Sequence, residues 1–585
     1  INRYKAVLKK CHLLNVFGSL AVAGMLVMGG AAAAEAGTWT KPNGSVGEWS
    51  NGVVDNNTEL NGTYDGFTQA DGTLAGVATV DYTTTGVSVA NGTTFTSNSK
   101  TAGAAGALKL LNGIKIGDNV TFTGNKATGS AWGGGAIYIK LANKTQPSDN
   151  RSVTIGSNAK FVNNQAQTWG GAIALEYGNL TIDEGAIFEA NKTLVKNDKG
   201  EEGGGAIAVW HDPSNGEPGQ TRLSITKATF RQNRTSVSGG AIYNKDGNIT
   251  ITGSQFDQNS SGSMGGAIAN MSGNTDYTGE INITNSGFTG NKAGNGGAVW
   301  NGTNGKVNIT NSTFSQNTAM LEDHSLQQGG AITNGGEMII TDATFDNNNA
   351  NFGGAIWNEG TLTVNDGSFE GNKAKSAAGA IYNADGAKLT VDGVSFKENT
   401  AKFGGAINNA KTASDKKAAT LTVKNSQFIG NTSLNSQGGA IRNQGIITEI
   451  SGSTFKGNKA SNGGAINNGE WGQIKLITNS VFDGNEATLE NTAAMDGGAI
   501  LNRGTIESIA DSTFTNNKTS GAGGAILNKD GASLTFNGTN TFTNNTAASK
   551  ANDIHNSGTI TVASGTTTLG SGYSQDAGSL TVQGG

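Results

Sequence analysis

One repeated unit constrains this chain more than any other feature. The tetrad Gly-Gly-Ala-Ile (Val once) starts at Gly134, Gly170, Gly204, Gly239, Gly265, Gly296 and Gly329. It returns at Gly353, Gly404, Gly438, Gly463, Gly497 and Gly523, with variants opening at Ala105 and Ala378. Each of these fifteen is followed by Phe-x-x-Asn. The phenylalanines are Phe122, Phe161, Phe188, Phe230, Phe256, Phe288, Phe314, Phe345, Phe369, Phe396, Phe428, Phe455, Phe482, Phe514 and Phe542, at a mean spacing of 30 residues. A unit this short cannot bury a core alone, but stacked copies can.

The copy at 353–372 shows how. It holds three strand-like pieces, Ala-Ile-Trp, Thr-Leu-Thr-Val and Ser-Phe-Glu, each running into Gly, Asn or Asp, the punctuation of strands meeting turns. The spacing predicts an all-β fold, a single-stranded parallel β-helix with three strands per coil and about fifteen regular coils plus irregular ends. Right-handed crossovers are the default, and each coil should rise about 4.8 Å. A propeller competes, but its blades need about 40 residues, whereas Phe345 and Phe369 are 24 apart, so the β-helix is preferred.

In such a coil Phe256, Phe288, Phe314, Phe345, Phe369 and Phe396 point inward and stack as a ladder. The Asn ending each motif is expected to close the strand, because Asn tolerates a left-handed backbone and can bond its own turn. Two residues beyond the tetrad, Asn recurs in eleven consecutive coils from Asn244 to Asn528, Asn301 and Asn358 among them. Stacked amides of this kind predict a second ladder. After Pro42, the three remaining prolines (Pro147, Pro213, Pro218) fall in long inserts, as expected where ladder hydrogen bonds exclude proline.

The ends read differently. Arg3, Lys5, Lys9 and Lys10, the apolar stretch 13–27 and Ala34-Glu35-Ala36 before Gly37 have the order of a secretory signal peptide, 1–36. Its removal takes the net charge from −5 to −8 and leaves no cysteine, since Cys11 is the only one. An acidic mature chain with no Lys/Arg cluster excludes a nucleic-acid partner. Residues 37–104 are expected to form irregular β coils capping the array, 105–550 the repeat array, and 551–585 a tail of similar β pieces. Longer corners occur at 126–133, 192–203, 318–328 and 486–496, and on another corner at 140–152, 210–222 and 409–419.

Candidate chemistry is sparse. Glycoside cleavage needs two carboxylates flanking one bond, whereas Asp366, Asp392, Glu398, Asp483 and Glu486 are scattered through turns. His211, His324 and His555 read as solvated loop histidines. No catalytic constellation, metal set or cofactor motif is present, so no enzyme activity, cofactor or metal is expected. The residue after each tetrad is expected to face solvent by strand alternation. Tyr243, Trp300, Trp357 and Tyr382 would then form an aromatic stripe able to stack on sugars or anchor a protein. Packing on neighbouring side chains is the alternative.

The paired tetrads behind a signal peptide resemble the repeats of the polymorphic outer membrane proteins, a branch of the autotransporters. Tyr573-Ser574-Gln575-Asp576-Ala577-Gly578-Ser579-Leu580-Thr581-Val582 also looks like the late passenger of autotransporter adhesins. The resemblance implies a pectin-lyase-like β-helical passenger on the cell surface, at the outer membrane or released outside, acting as an adhesin. Its partners would be a host-cell or matrix protein or a glycan, with self-association as a further option. A translocator barrel needs many alternating strands and is absent from 1–585, so a fragment of a longer protein is expected, tied to a membrane only through that missing barrel. A β-helical polysaccharide lyase or hydrolase, and a structural self-association module, are the alternatives.

Overall fold

The computed structural model describes the strands Thr38–Thr40 and Val46–Glu48 and residues 53–583, apart from 70–75, 102–103, 130–132, 142–150, 195–202, 212–220, 272–278, 321–326, 435, 489–494 and 549–552. The expected signal peptide therefore lies outside the described residues, with His324 and the middles of all the long inserts except 409–419.

Every described element is a strand, and nearly every pairing is parallel. Each coil begins at its tetrad. The residues after the two glycines enter an 18-stranded sheet that runs from Ala78–Val80 to Tyr573–Gln575. Neighbours pair in register, so Ile332, Ile356 and Ile381 lie above one another, as do Asn334, Asn358 and Asn383. The chain then turns into a 37-stranded sheet, where Thr361–Glu370 pairs with Glu337–Asp346 and Lys388–Lys397. The motif Phe lies in this second sheet. In most coils this strand is split, as in Asn248–Thr252 and Gln255–Asp257, around a residue of positive φ such as Gly253 (φ 65°).

The three strand-like pieces in the sequence do not map one to one onto three faces. The second and third share the broad sheet. The third face is built mostly from two-residue strands just after the motif Asn, such as Lys126–Ala127 and Ser260–Ser261, in columns of seven and nine. A two-residue strand carries no alternation pattern, which is why the sequence does not reveal it.

Period-two alternation fills the core. In Thr361–Glu370, Leu362, Val364 and Phe369 turn inward and are buried. From Phe95 to Phe542 the rings stack with centroids 4.5–5.0 Å apart, the expected rise per coil. The predicted ladder residues Phe256, Phe288, Phe314, Phe345, Phe369 and Phe396 are all fully buried in it.

The array begins earlier than the tetrads do. Tyr64 pairs with Phe95 and Phe95 with Phe122, in parallel and in register, and Tyr64 stacks on Phe95 at 5.0 Å. The coils in 53–101 thus continue the regular array, where irregular ones were expected. Phe95-Thr96-Ser97-Asn98 is itself a Phe-x-x-Asn without a preceding tetrad. What is irregular is an antiparallel ribbon of Thr38–Thr40 and Val46–Glu48, whose first strand pairs antiparallel with Thr63–Asp65.

Candidate interaction surface

The aromatic stripe does not face solvent. Tyr243, Trp357 and Tyr382 are 1%, 9% and 8% exposed, and Trp300 is half-buried. Alternation does aim these side chains away from the core. In two coils, however, the residue before the tetrad, Phe352 or Gln437, turns back over the residue after it. Phe352 meets Trp357 and Tyr382 edge-on at 5.8 Å, while Trp357 and Tyr382 stack at 4.2 Å. Gln437 Oε1 accepts a hydrogen bond from Arg442 Nε at 3.3 Å by the same geometry. The reversal depends on the first tetrad glycine and its positive φ, 60° at Gly353.

Nor is the stripe continuous. Trp357 and Tyr382 share a cluster with Phe352, Phe403 and four alanines. Tyr243 belongs to another, with Tyr138, Trp169 and Trp210. There Trp169 stacks on Trp210 at 5.7 Å and meets Tyr243 edge-on at 5.4 Å. Trp300 lies between the two groups, its ring against Gly302. These four residues serve chiefly as packing for the corners.

Beside the Trp169 group sits a small polar knot absent from the sequence expectations. Tyr138 Oη donates to Glu176 Oε2, and Lys140 Nζ lies 2.5 Å from Glu176 Oε1. Burial, reinforced by the Glu176 charge, pushes the Tyr138 hydroxyl far above the ordinary range. His211 is not a solvated loop residue: it is 1% exposed and edge-on to Tyr177 at 5.8 Å. His555 is also buried, with Nδ1 2.7 Å from Ser574 Oγ and Nε2 3.4 Å from Asp576 Oδ2. The register His555↔Ser574 brings this trio together, but Asp576 is half exposed, so solvent screens the pair.

The scattered carboxylates mostly meet cations or amides on adjacent coils. Lys456 Nζ is 3.1 Å from Asp483, whose carboxyl is held below its usual range by the Asn516 amide and then by Lys456. Asn425 donates to Asp392 at 2.8 Å, and Lys459 lies 3.5 Å from Glu486. Among the described residues no group of three or more His, Cys, Asp or Glu is placed to hold a metal, and no helix is long and apolar enough to cross a membrane.

A concavity lies on the outer face of the broad sheet. It encloses about 390 Å³ and crosses four successive coils, at Asn179–Ile182, Arg222–Thr226, Asn248–Thr252 and Glu280–Thr284. Its lining is polar: Asn179, Thr181, Arg222, Ser224, Asn248, Thr250, Glu280 and Asn282, over Leu180, Leu223 and Ile249. Alternation marks each of these residues as outward or inward. Only the register, set by inserts of unequal length, reveals that they share a face.

Fold and surface together define a β-solenoid repeat protein whose broad sheet offers a long lateral face. The Chlamydia polymorphic membrane protein repeat matches the chain at 119–140, 227–245, 342–359 and 511–529. Each match spans one Phe-x-x-Asn and the tetrad that follows it. A search of curated proteins found no match to the chain.

Proposed function

We propose that this chain is a surface-displayed passenger of the autotransporter type, acting as an adhesin through the lateral face of its β-helix. The observation that carries the reading is the pairing of polymorphic-membrane-protein repeats with a rod whose repeat-defining residues are consumed by structure. Gly, Ile, Phe and Asn set corner, core and ladders, which leaves the variable outward residues to meet a partner. That partner is a host-cell or matrix protein or a glycan. Interfaces draw on side chains held in place by a rigid scaffold, and a continuous ladder of parallel strands provides one.

Two measurements test it. Antibody against the array should label intact expressing cells, and protease added outside should remove the label. The full chain coupled to fluorescent beads should bind cultured host cells saturably, and the heat-unfolded chain should not. Beads that clump with one another but ignore host cells would replace adhesion with self-association. Absence of both contradicts the reading.

A further inference from the structure

We propose that the polar groove at Asn179, Arg222, Asn248 and Glu280 binds an uncharged, hydroxyl-rich glycan chain lying parallel to the rod axis. The proposal rests on the adhesin reading and names the class of ligand that one part of the lateral face would take.

Arg222 and Glu280 are the only ionisable groups lining the groove, one of each sign, and the remaining polar groups are amides and hydroxyls. A polyanion would meet Glu280 unpaired, and a cationic peptide would meet Arg222. A neutral ligand meets neither penalty. Leu180, Leu223 and Ile249 point into the core and are 1% exposed, so the groove offers no socket for the aromatic or aliphatic anchor on which protein interfaces depend. Its volume of about 390 Å³ falls in the range of ligand sites.

The polar groups are also ordered in a way a repeating ligand can use. Parallel pairing sets Asn179, Arg222 and Asn248 in one row, and Thr181, Ser224, Thr250 and Asn282 in a second. Successive members are one coil apart, about 4.8 Å, close to the length of one hexose in an extended chain. Glu280 is held in place before any ligand arrives: its Oε1 accepts from Asn282 Nδ2 at 3.1 Å and from Asn308 Nδ2 at 3.3 Å. Asn308 Nδ2 also donates to Asn282 Oδ1 at 2.9 Å. Arg222, exposed and with no ion pair among the described residues, presents a fork of N–H donors to adjacent hydroxyls. Carboxylate and amide oxygens accept, and guanidinium and amide N–H groups donate, which is the pairing a vicinal diol requires.

The test is equilibrium binding of the full chain to cello-, malto-, manno- and chitohexaose, with a heparin hexasaccharide as the charged comparison. At least one neutral hexasaccharide should bind, at least tenfold more tightly than its own disaccharide because four coils contribute. R222A combined with N248A should weaken that binding tenfold or more without changing the circular dichroism, and Trp471→Ala on a distant corner should leave it unchanged. T250A serves as a second variant should the double substitution perturb folding. Binding to heparin alone, to no neutral sugar, or equally well after R222A/N248A overturns the proposal, as does cleavage of the bound sugar. Host-cell adhesion is measured in parallel. Adhesion that survives these failures removes the glycan groove and keeps the adhesin, whereas loss of adhesion by the native chain removes both.

Discussion

At Gly353 and Gly354 two adjacent glycines are required for different reasons. Gly353 has φ 60°, where an L side chain costs about 1–2 kcal/mol, and a Cβ on it would sit 2.2 Å from the Ile356 carbonyl oxygen. Gly354 has an ordinary φ, but a Cβ there would lie 2.2 Å from the carbonyl oxygen of Gly379, on the next coil. One glycine makes the corner and the other lets the coils approach. Ala378 occupies the first position in its coil with φ 62°. Ala378→Gly should therefore stabilise the protein by about 0.5–1 kcal/mol, the relief of the left-handed strain exceeding the extra chain entropy. Denaturant unfolding checks this, and a loss of stability would show that the strain is not felt. Phe369→Ala should cost about 3–5 kcal/mol as a buried cavity. Trp357→Ser should also destabilise, by about 2–4 kcal/mol, since the ring is packed between Phe352 and Tyr382. A Trp357→Ser protein of native stability that fails to bind would return this residue to the interaction surface.

The elements that stack most regularly are two ladders of amides. In the first, Asn372 Nδ2 donates to Asn399 Oδ1 at 3.0 Å and to the Phe345 carbonyl at 2.9 Å, and its backbone N–H donates to Asn399 Oδ1 at 3.1 Å. The second passes from Asn244 through Asn301 and Asn358 to Asn556, with amide pairs 2.8–2.9 Å apart. Every amide-to-amide hydrogen bond in both runs from the Nδ2 of one coil to the Oδ1 of the next, so these bonds align along the rod as peptide dipoles do along a helix. The first ladder ends on a carboxylate: Asn545 Nδ2 donates to Asp553 Oδ1 at 2.8 Å, and Asp553 Oδ2 accepts from the backbone N–H groups of Ser571 and Gly572. A negative acceptor thus closes the positive pole. Asp553→Ala should strip three donors of their partner and fray the last coils, each unsatisfied group costing about 1–3 kcal/mol. Hydrogen exchange should then rise in 553–583 and stay unchanged before Phe482. A uniform rise would mean the end is not locally coupled.

The motifs Phe-x-x-Asn and Gly-Gly-Ala-Ile are legible because one position does one job in every coil. The two-residue strands after the motif Asn are not, since nothing alternates across two residues. The burial of Trp357 and Tyr382 was hidden for another reason: strand alternation reports the core side correctly but says nothing of Phe352 folding back from the preceding corner. Arg222 and Glu280 gave no signal, because their place in one groove depends on a register interrupted by inserts.

For the solenoid as a whole, stability is a sum of coils and the interfaces between neighbours, so change should be tolerated at corners and forbidden within strands. Replacing 411–418 with a two-residue turn alters only an exposed corner and should shift stability by about 0.5 kcal/mol or less, measured by denaturant midpoint. Deleting one residue between Leu362 and Val364 would move the following side chains to the opposite face and should abolish folding of that coil. The central claim is that distance along this molecule follows coil number and not residue number. Gln255 and Gln427 are 172 residues apart yet linked by six in-register pairings, and Val481 lies two coils further. With Cys11 replaced by Ser, spin labels at positions 255 and 427 should give a narrow separation of about 29 Å, and labels at 255 and 481 about 38 Å. Broad distributions, or separations that do not lengthen by about 4.8 Å per coil, would contradict the continuous parallel β-helix.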